Sequence, residues 1–246
     1  MRWIYISPHL DDAVLSCGGL IWEQCRAGTP VEIWTVLAGI PGLDELSDFA
    51  KVLHFVSGTG TAAETVTLRR AEDQAAAGIV GAKAVHFDFQ DCIYRRSPEG
   101  EWLYDGIFVP LHPADADLPG EVARALAARL EPDDEVICPL TIGGHVDHVM
   151  TRMAVERLGR PLRYYADIPY LQKNWLSLLT FTGGLCSEVH PVSEEGLRAW
   201  QEGVEAYASQ LGSLFDPPES LRSTLQKYWE CVFGVTLWES LPAGYG

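Results

Sequence analysis

No apolar run in the 246-residue chain approaches the roughly 18 residues that a membrane-spanning helix needs, so no membrane span is expected. Cations are scarce: 18 Lys and Arg stand against 34 Asp and Glu, a formal net charge of −16. A surface this acidic repels a phosphate backbone, which excludes broad electrostatic binding to nucleic acid. The acidic residues are scattered rather than gathered in a tail, and read as a solvated surface. No Cys-x-x-Cys pair occurs. Cys17, Cys25, Cys92, Cys138, Cys186 and Cys231 are dispersed, which predicts buried thiols rather than a disulfide frame or a cysteine-based zinc site. No secretory leader is legible: Trp3–Ser7 runs straight into Pro8, His9 and two aspartates, and a cytoplasmic location is the expectation. Internal repeats, low-complexity tracts and a clear linker are lacking too, so residues 1–246 are read as one domain. The hydrophobic fraction of 47% is that of a globular chain and argues against disorder.

What is present is an alternation of strand and helix patterns. Strands are expected at Trp3–Ser7, Val31–Ala38, Ala84–Phe89, Glu135–Leu140 and Leu162–Ile168. Between them, helical spacing runs over Ala13–Ala27, Asp44–Val56, Thr67–Val80, Leu118–Leu130 and Val146–Leu158. This order implies βαβ units and an α/β fold, a Rossmann-like three-layer α/β/α structure with a mostly parallel sheet. After Pro169 the pattern changes. Glu194–Leu214 reads as one long helix with Leu197, Trp200, Val204, Tyr207, Ala208 and Leu211 on one face, followed by a helix over Leu221–Trp229 and a last strand over Val232–Trp238. Asp91–Asp117 is long and irregular, as functional loops often are.

The first strand runs into Pro8-His9-Leu10-Asp11-Asp12, and the fourth into Thr141-Ile142-Gly143-Gly144-His145-Val146-Asp147-His148. In a parallel sheet both segments leave the carboxyl edge, where such folds place their sites. His and carboxylate side chains suit zinc, and three protein ligands with an open fourth position is the catalytic pattern. His9 and Asp12, three apart, can face one point, and His148 supplies a third ligand. The water in the fourth position has its pKa lowered to about 7 by zinc. Asp11 is then placed to take the water's proton, His145 to donate to a developing oxyanion, and Asp147 to orient a histidine. Asp11 or Asp12 could instead be a plain helix cap.

These residues resemble the zinc-dependent N-acetylglucosaminyl-phosphatidylinositol deacetylase family, also called PIG-L or LmbE-like. The resemblance rests on Pro-His-Leu-Asp-Asp-Ala, Gly18-Gly19 and His145-Val146-Asp147-His148. Leu68-Arg69-Arg70-Ala71-Glu72-Asp73, ending in Val80-Gly81-Ala82, and Ala206-Tyr207-Ala208-Ser209-Gln210 are similar to further family segments. The resemblance implies one Zn2+ per chain on His9, Asp12 and His148, Asp11 as general base, His145 on the oxyanion, Asp147 supporting a histidine, and Arg69 on the substrate, with Arg70 a close competitor. It implies a Rossmann-like fold as well. The family's His-Pro-Asp-Asp-Glu stands here as His-Leu-Asp-Asp-Ala, with Leu10 and Ala13 as the departures.

Asp91, Tyr94 and Arg95 follow the third strand at the same edge and are candidates for hydrogen bonds to a sugar, as more weakly are Asp167 and Tyr170 after the fifth. Trp102 and Trp175 could stack on sugar rings. His54, His86, His112 and His190 lack a partner pattern and read as structural. Gly58-Thr59-Gly60-Thr61-Ala62-Ala63 imitates a dinucleotide loop but follows a helix, so it reads as a plain loop. Gly18-Gly19 inside a helix suggests close packing on the sheet or close backbone approach near the site. The expected function is zinc-dependent removal of an N-acetyl group from a small-molecule amino sugar or sugar conjugate. A hydratase or lyase on the same fold and a non-catalytic metal- or sugar-binding relative also fit. A homo-oligomer and iron in place of zinc are both compatible with the sequence.

Overall fold

The computed structural model describes residues 1–42, 45–173, 176, 178–215 and 220–240. Its centre is a seven-stranded sheet in the order β3-β2-β1-β4-β5-β7-β6. The strands are β1 (Trp3–Ser7), β2 (Val31–Thr35), β3 (Lys83–His86), β4 (Glu135–Pro139), β5 (Arg163–Tyr165), β6 (Leu185–Pro191) and β7 (Gly234–Ser240). Neighbours from β3 to β5 pair in parallel, while β7 pairs antiparallel with both β5 and β6. The expected α/β fold is the one observed.

Helices cover both faces. The described ones are α1 (Asp12–Arg26), α2 (Asp48–Ser57), α3 (Ala62–Val80), α4 (Leu118–Ala127), α5 (Val146–Glu156), α6 (Tyr170–Lys173), α7 (Leu178–Thr182), α8 (Glu194–Glu205), α9 (Leu211–Leu214) and α10 (Ser220–Val232). The central strands are apolar on both sides because both faces are covered. In β1, Tyr5 packs with Val14, Ala76 and Trp200 in one core, and Ile4 and Ile6 pack with Val122, Leu126 and Met150 in the other. A third cluster, with Leu10, Ala50, Val66, Ile93, Tyr94 and Tyr104, sits among the loops and ties α2 and the 91–104 segment to the first motif.

Several expected boundaries move. The expected helix start at Asp44 lies outside the described residues; α2 begins at Asp48, capped by the Ser47 hydroxyl, which accepts from Ala50 N–H. The α3 helix starts at Ala62 rather than Thr67, because Thr61 caps it, and Gly58 at φ 69° closes α2. The glycine segment is thus a C-cap joined to an N-cap. The long helix over Glu194–Leu214 is broken: α8 ends at Glu205 and α9 starts at Leu211. The break satisfies the buried Asp73 and the half-buried Glu72 on α3. Tyr207 O–H donates to Asp73 (2.8 Å), and Ser209 N–H and O–H both donate to Glu72. Strand β6 was not anticipated, since its half-exposed edge carries no apolar run. Gly18 and Gly19 pack against α8 rather than the sheet. A Cβ at Gly18 would lie 2.5 Å from Trp200 Cδ1, and one at Gly19 would lie 2.8 Å from Val192.

Candidate metal centre and active-site cavity

The strand order reverses between β1 and β4, and their carboxyl ends open the crevice where doubly wound sheets bind ligands. After β1, a tight turn is knitted by its own side chains. Ser7 O–H donates to His9 O (2.6 Å), Ala13 N–H to Ser7 Oγ (3.1 Å) and His9 N–H to Asp12 Oδ2 (2.8 Å). Leu10, where the family pattern has proline, is buried in the third apolar cluster, and Ala13 is buried in the core. After β4, Gly143 and Gly144 take φ of 93° and 74°, a left-handed turn that needs glycine and delivers His145 to the start of α5.

His9, Asp12 and His148 converge, with ligand atoms within 4.8 Å of one another. His9 Nε2–H donates to Asp147 Oδ2 (3.1 Å) and His148 Nδ1–H to Asp167 Oδ1 (2.7 Å). The other nitrogen of each ring faces Asp12, at 3.2 Å for His9 Nδ1 and 3.3 Å for His148 Nε2, and would offer its lone pair to a bound metal. His148 Nε2 is buried and makes no hydrogen bond of good geometry. A buried ring nitrogen left without a partner beside a carboxylate is what a metal would complete. Burial disfavours charge on His148, but Asp12 and Asp167 outweigh it and push its pKa up to about 9, so positive charge is favoured here. Burial likewise pushes Asp12 up, yet His148 and His9 hold it well below the usual carboxylate range.

Among the described residues, two other clusters have metal-ligand spacing: His9, His145 and Asp147, and Asp91, Cys92 and Asp147. Both need Asp147, whose oxygens are already taken. They accept from Cys92 N–H (2.9 Å), His9 and the Arg95 guanidinium. A cation beside the carboxylate opposes a second one. The His9, Asp12, His148 set fits a divalent metal best.

Asp11 lies next to this centre and 3.4 Å from Arg69 Nη2. Burial and then the Asp12 charge push its carboxyl up to about 6, with Arg69 and His9 pulling the other way. His145 is the α5 N-cap, and its Nδ1 accepts from Asp147 N–H (3.1 Å). Burial, then His9 and His148, hold its pKa well below the ordinary value, so the ring is neutral with its proton on Nε2.

A cavity of about 770 Å³, open mouth included, reaches the centre. His9, Asp11, Asp12, Arg69, Asp91, Tyr94 and His145 line it, whereas His148 and Asp147 stand behind. Arg69, not Arg70, faces the cavity; Arg70 ties Ala38 O and Asp88. Arg95 is not in the cavity wall. It is buried between Asp147 and Asp115 over the Tyr104 ring, so it holds Asp147 rather than a substrate, and the irregular 91–117 segment is organised around it. Trp102 lies under Arg96, away from the cavity, and Trp175 lies outside the described residues.

The pattern of the GlcNAc-PI de-N-acetylase family, PIG-L, matches residues 4–158, more than half of the chain. The chain belongs to this family. PIG-L proteins are zinc-dependent deacetylases, in keeping with the His, Asp, His centre. The 2'-N-acetylparomamine deacetylase of Niallia circulans is 26% identical over 70% of this chain and 68% of its own. That of Streptomyces fradiae is 29% identical over 69% of this chain, which spans only 57% of it. Among solved structures, a deacetylase-bog complex from the teicoplanin biosynthesis pathway and the zinc inhibited form of teicoplanin deacetylase Orf2 both have TM-score 0.84. Each is 29% identical with full coverage of both chains. No helix among the described residues is long and apolar enough to cross a membrane.

Within this PIG-L site, sequence reasoning missed several contacts. Asp167 was a weak sugar-binding candidate, but it orients His148 and also accepts from Ile142 N–H (3.0 Å). Its place at the end of β5, on the same sheet edge as both motifs, was the available signal. Phe108 had none. It is 60% exposed and edge-on to His145 and Tyr170. Gln210, Ser213 and Leu214 reach the cavity only because the long helix breaks. Asp167→Asn is expected to weaken zinc affinity by about 10–100-fold, the usual effect of losing the partner of a liganding histidine. A chelator-competition titration reads this, and unchanged affinity contradicts the assignment.

Proposed function

We propose that the protein, acting as one domain over residues 1–246 in the cytoplasm, is a zinc-dependent N-deacetylase of an amino-sugar conjugate. The observation that carries this is the convergence of His9, Asp12 and His148 with ligand atoms within 4.8 Å, the buried His148 Nε2 making no hydrogen bond and each histidine's other nitrogen anchored by an aspartate. His9, Asp12 and His148 would hold zinc, which would supply a Lewis acid for water and for the amide carbonyl. Asp11 takes the attacking water's proton. The neutral His145 ring aims its Nε2–H at the oxyanion, and its Nδ1 bond to Asp147 N–H keeps that tautomer. Asp11 then returns the proton to the departing nitrogen as the carbon–nitrogen bond breaks, giving acetate and a free amine. Asp147 positions His9, and Arg95 keeps Asp147 ionised. Burial pushes the Asp147 pKa up, but the pairing with Arg95 and His9 outweighs this and holds it well below the usual carboxylate range, so it has no proton to offer.

Arg69 and Asp91 suit the sugar. Arg69 Nε is buried without a partner, and Asp91 Oδ2 comes no closer than 3.8 Å to His9 Nε2 and 3.9 Å to Arg69. A donor and an acceptor are thereby left for substrate hydroxyls. The substrate class is supported by the relatives, named for acetylparomamine and for teicoplanin biosynthesis.

Incubation of the zinc-loaded protein with 2'-N-acetylparomamine and with an N-acetylglucosaminyl glycopeptide tests the proposal. Equal amounts of acetate and free amine support it. Release from neither, or water added across a double bond, contradicts it. The pH profile gives a separate check. Asp11 must be ionised to act, so activity is present above its pKa of about 6 and lost as pH falls through it. A bound dication lowers that value further. The acid limb of kcat/KM is expected at about 6 or below, and a rate that rises as the solution is acidified past it contradicts the base assignment.

A further inference from the structure

A second polar cluster lines the same cavity, and no step above uses it. His54 on α2 and Tyr94 in the short turn Cys92–Tyr94 are both almost fully buried, and both form part of the wall with Thr65 of α3. Tyr94 Oη lies 2.7 Å from His54 Nε2, and His54 Nδ1 lies 3.3 Å from Thr65 Oγ1.

The protons in this chain can be placed. Thr65 has one hydroxyl proton, and its oxygen lies 2.6 Å from the Thr59 hydroxyl and 2.8 Å from Thr61 O, a carbonyl that can only accept. Both contacts are shorter than the 3.3 Å to His54, so the proton goes to one of them. Thr65 Oγ1 is then an acceptor toward His54, so His54 Nδ1 carries the ring proton. Burial lowers the His54 pKa, which keeps the ring neutral with a single proton. His54 Nε2 is therefore a bare lone pair, and the Tyr94 phenol must donate to it. With its one proton committed, the phenol oxygen can only accept from anything else in the cavity. Burial and then the Asp91 charge push the Tyr94 pKa up, with Arg69 pulling the other way, so the phenol keeps its proton and a hydroxyl is a matching donor to its oxygen.

We propose that Tyr94, fixed by His54 and Thr65 as a hydrogen-bond acceptor, selects one hydroxyl donor on the substrate's sugar. This rests on the deacetylase reading above. Tyr94 would touch the substrate, and His54 would be a positioning residue acting through it.

The probes are methyl N-acetylglucosaminide and its mono-deoxy and mono-deoxyfluoro analogues; carbon-bound fluorine cannot donate. Wild type is expected to disfavour both analogues at one carbon by about tenfold, the scale of one hydrogen bond. Tyr94→Phe is expected to raise KM for the parent sugar, leave kcat nearly unchanged and erase that preference. His54→Leu frees the phenol proton to donate, so the deoxyfluoro sugar should regain ground on the deoxy sugar. A purely structural role would weaken all the sugars alike. Equilibrium binding of the same series to zinc-loaded Asp11→Asn gives the ladder without turnover. If wild type releases no acetate but the ladder appears in binding, the deacetylase reading fails and the hydroxyl selection stands. If acetate is released and Tyr94→Phe keeps the wild-type ladder, the selection fails alone. If no sugar binds, both are overturned.

Discussion

Asp11→Asn is expected to keep its zinc and lose about 10²–10⁴ in turnover, the range for removing a positioned general base. The substitution is nearly isosteric. The Asp11 carboxylate is not among the converging His9, Asp12 and His148 atoms, and it accepts from Arg69 at 3.4 Å. The backbone turn is held by Ser7, His9 and Asp12 rather than by the Asp11 side chain. Metal content and fold should therefore be retained while proton transfer is lost. Turnover within a few-fold of wild type, with zinc present, would remove Asp11 from the mechanism.

His145→Ala is expected to lower kcat by about 10²–10³, the loss seen when one oxyanion donor is removed. The ring is neutral, its Nδ1 is occupied by Asp147 N–H, and its Nε2–H is the donor left for the cavity that it lines. Zinc content should be unchanged, since the proposed liganding set, His9, Asp12 and His148, does not include His145. KM should move less than kcat, because the oxyanion exists only in the transition state. The His145 ring also stands 4.7 Å and 5.0 Å, centroid to centroid, from His9 and His148. His145→Gln, which keeps a donor and fills more of the space, separates lost donation from lost packing. A partial return of kcat in this variant supports donation.

The parts of this molecule that were legible in sequence are those whose causes are local. The strand and helix periods set the α/β order, and the two motifs each lie within one turn of a strand end. The carboxyl-edge rule then brings them together without any knowledge of distances. The parts that were not legible depend on partners far along the chain. Helical spacing through Leu214 is unbroken in the sequence, but Asp73 and Glu72 on α3 draw Tyr207 and Ser209 out of the helix, and a buried carboxylate needing donors outweighs local propensity. Arg95 sits at the expected edge, yet its charge is spent on Asp147 and Asp115, so position alone misassigned it to the substrate. His54 had no visible partner because Tyr94 lies on another element. Leu10 and Ala13, the departures from the family motif, turn out to be buried apolar positions beside the converging His9, Asp12 and His148.

The central claim is that His9, Asp12 and His148 hold the catalytic zinc. Metal content by mass spectrometry, on wild type and on His148→Ala after zinc loading and dialysis, tests it most directly. The account predicts about one zinc per chain in wild type and almost none in the variant, with the circular dichroism of the two alike. A wild type that holds no zinc, or a folded His148→Ala that keeps it undiminished, would contradict the account.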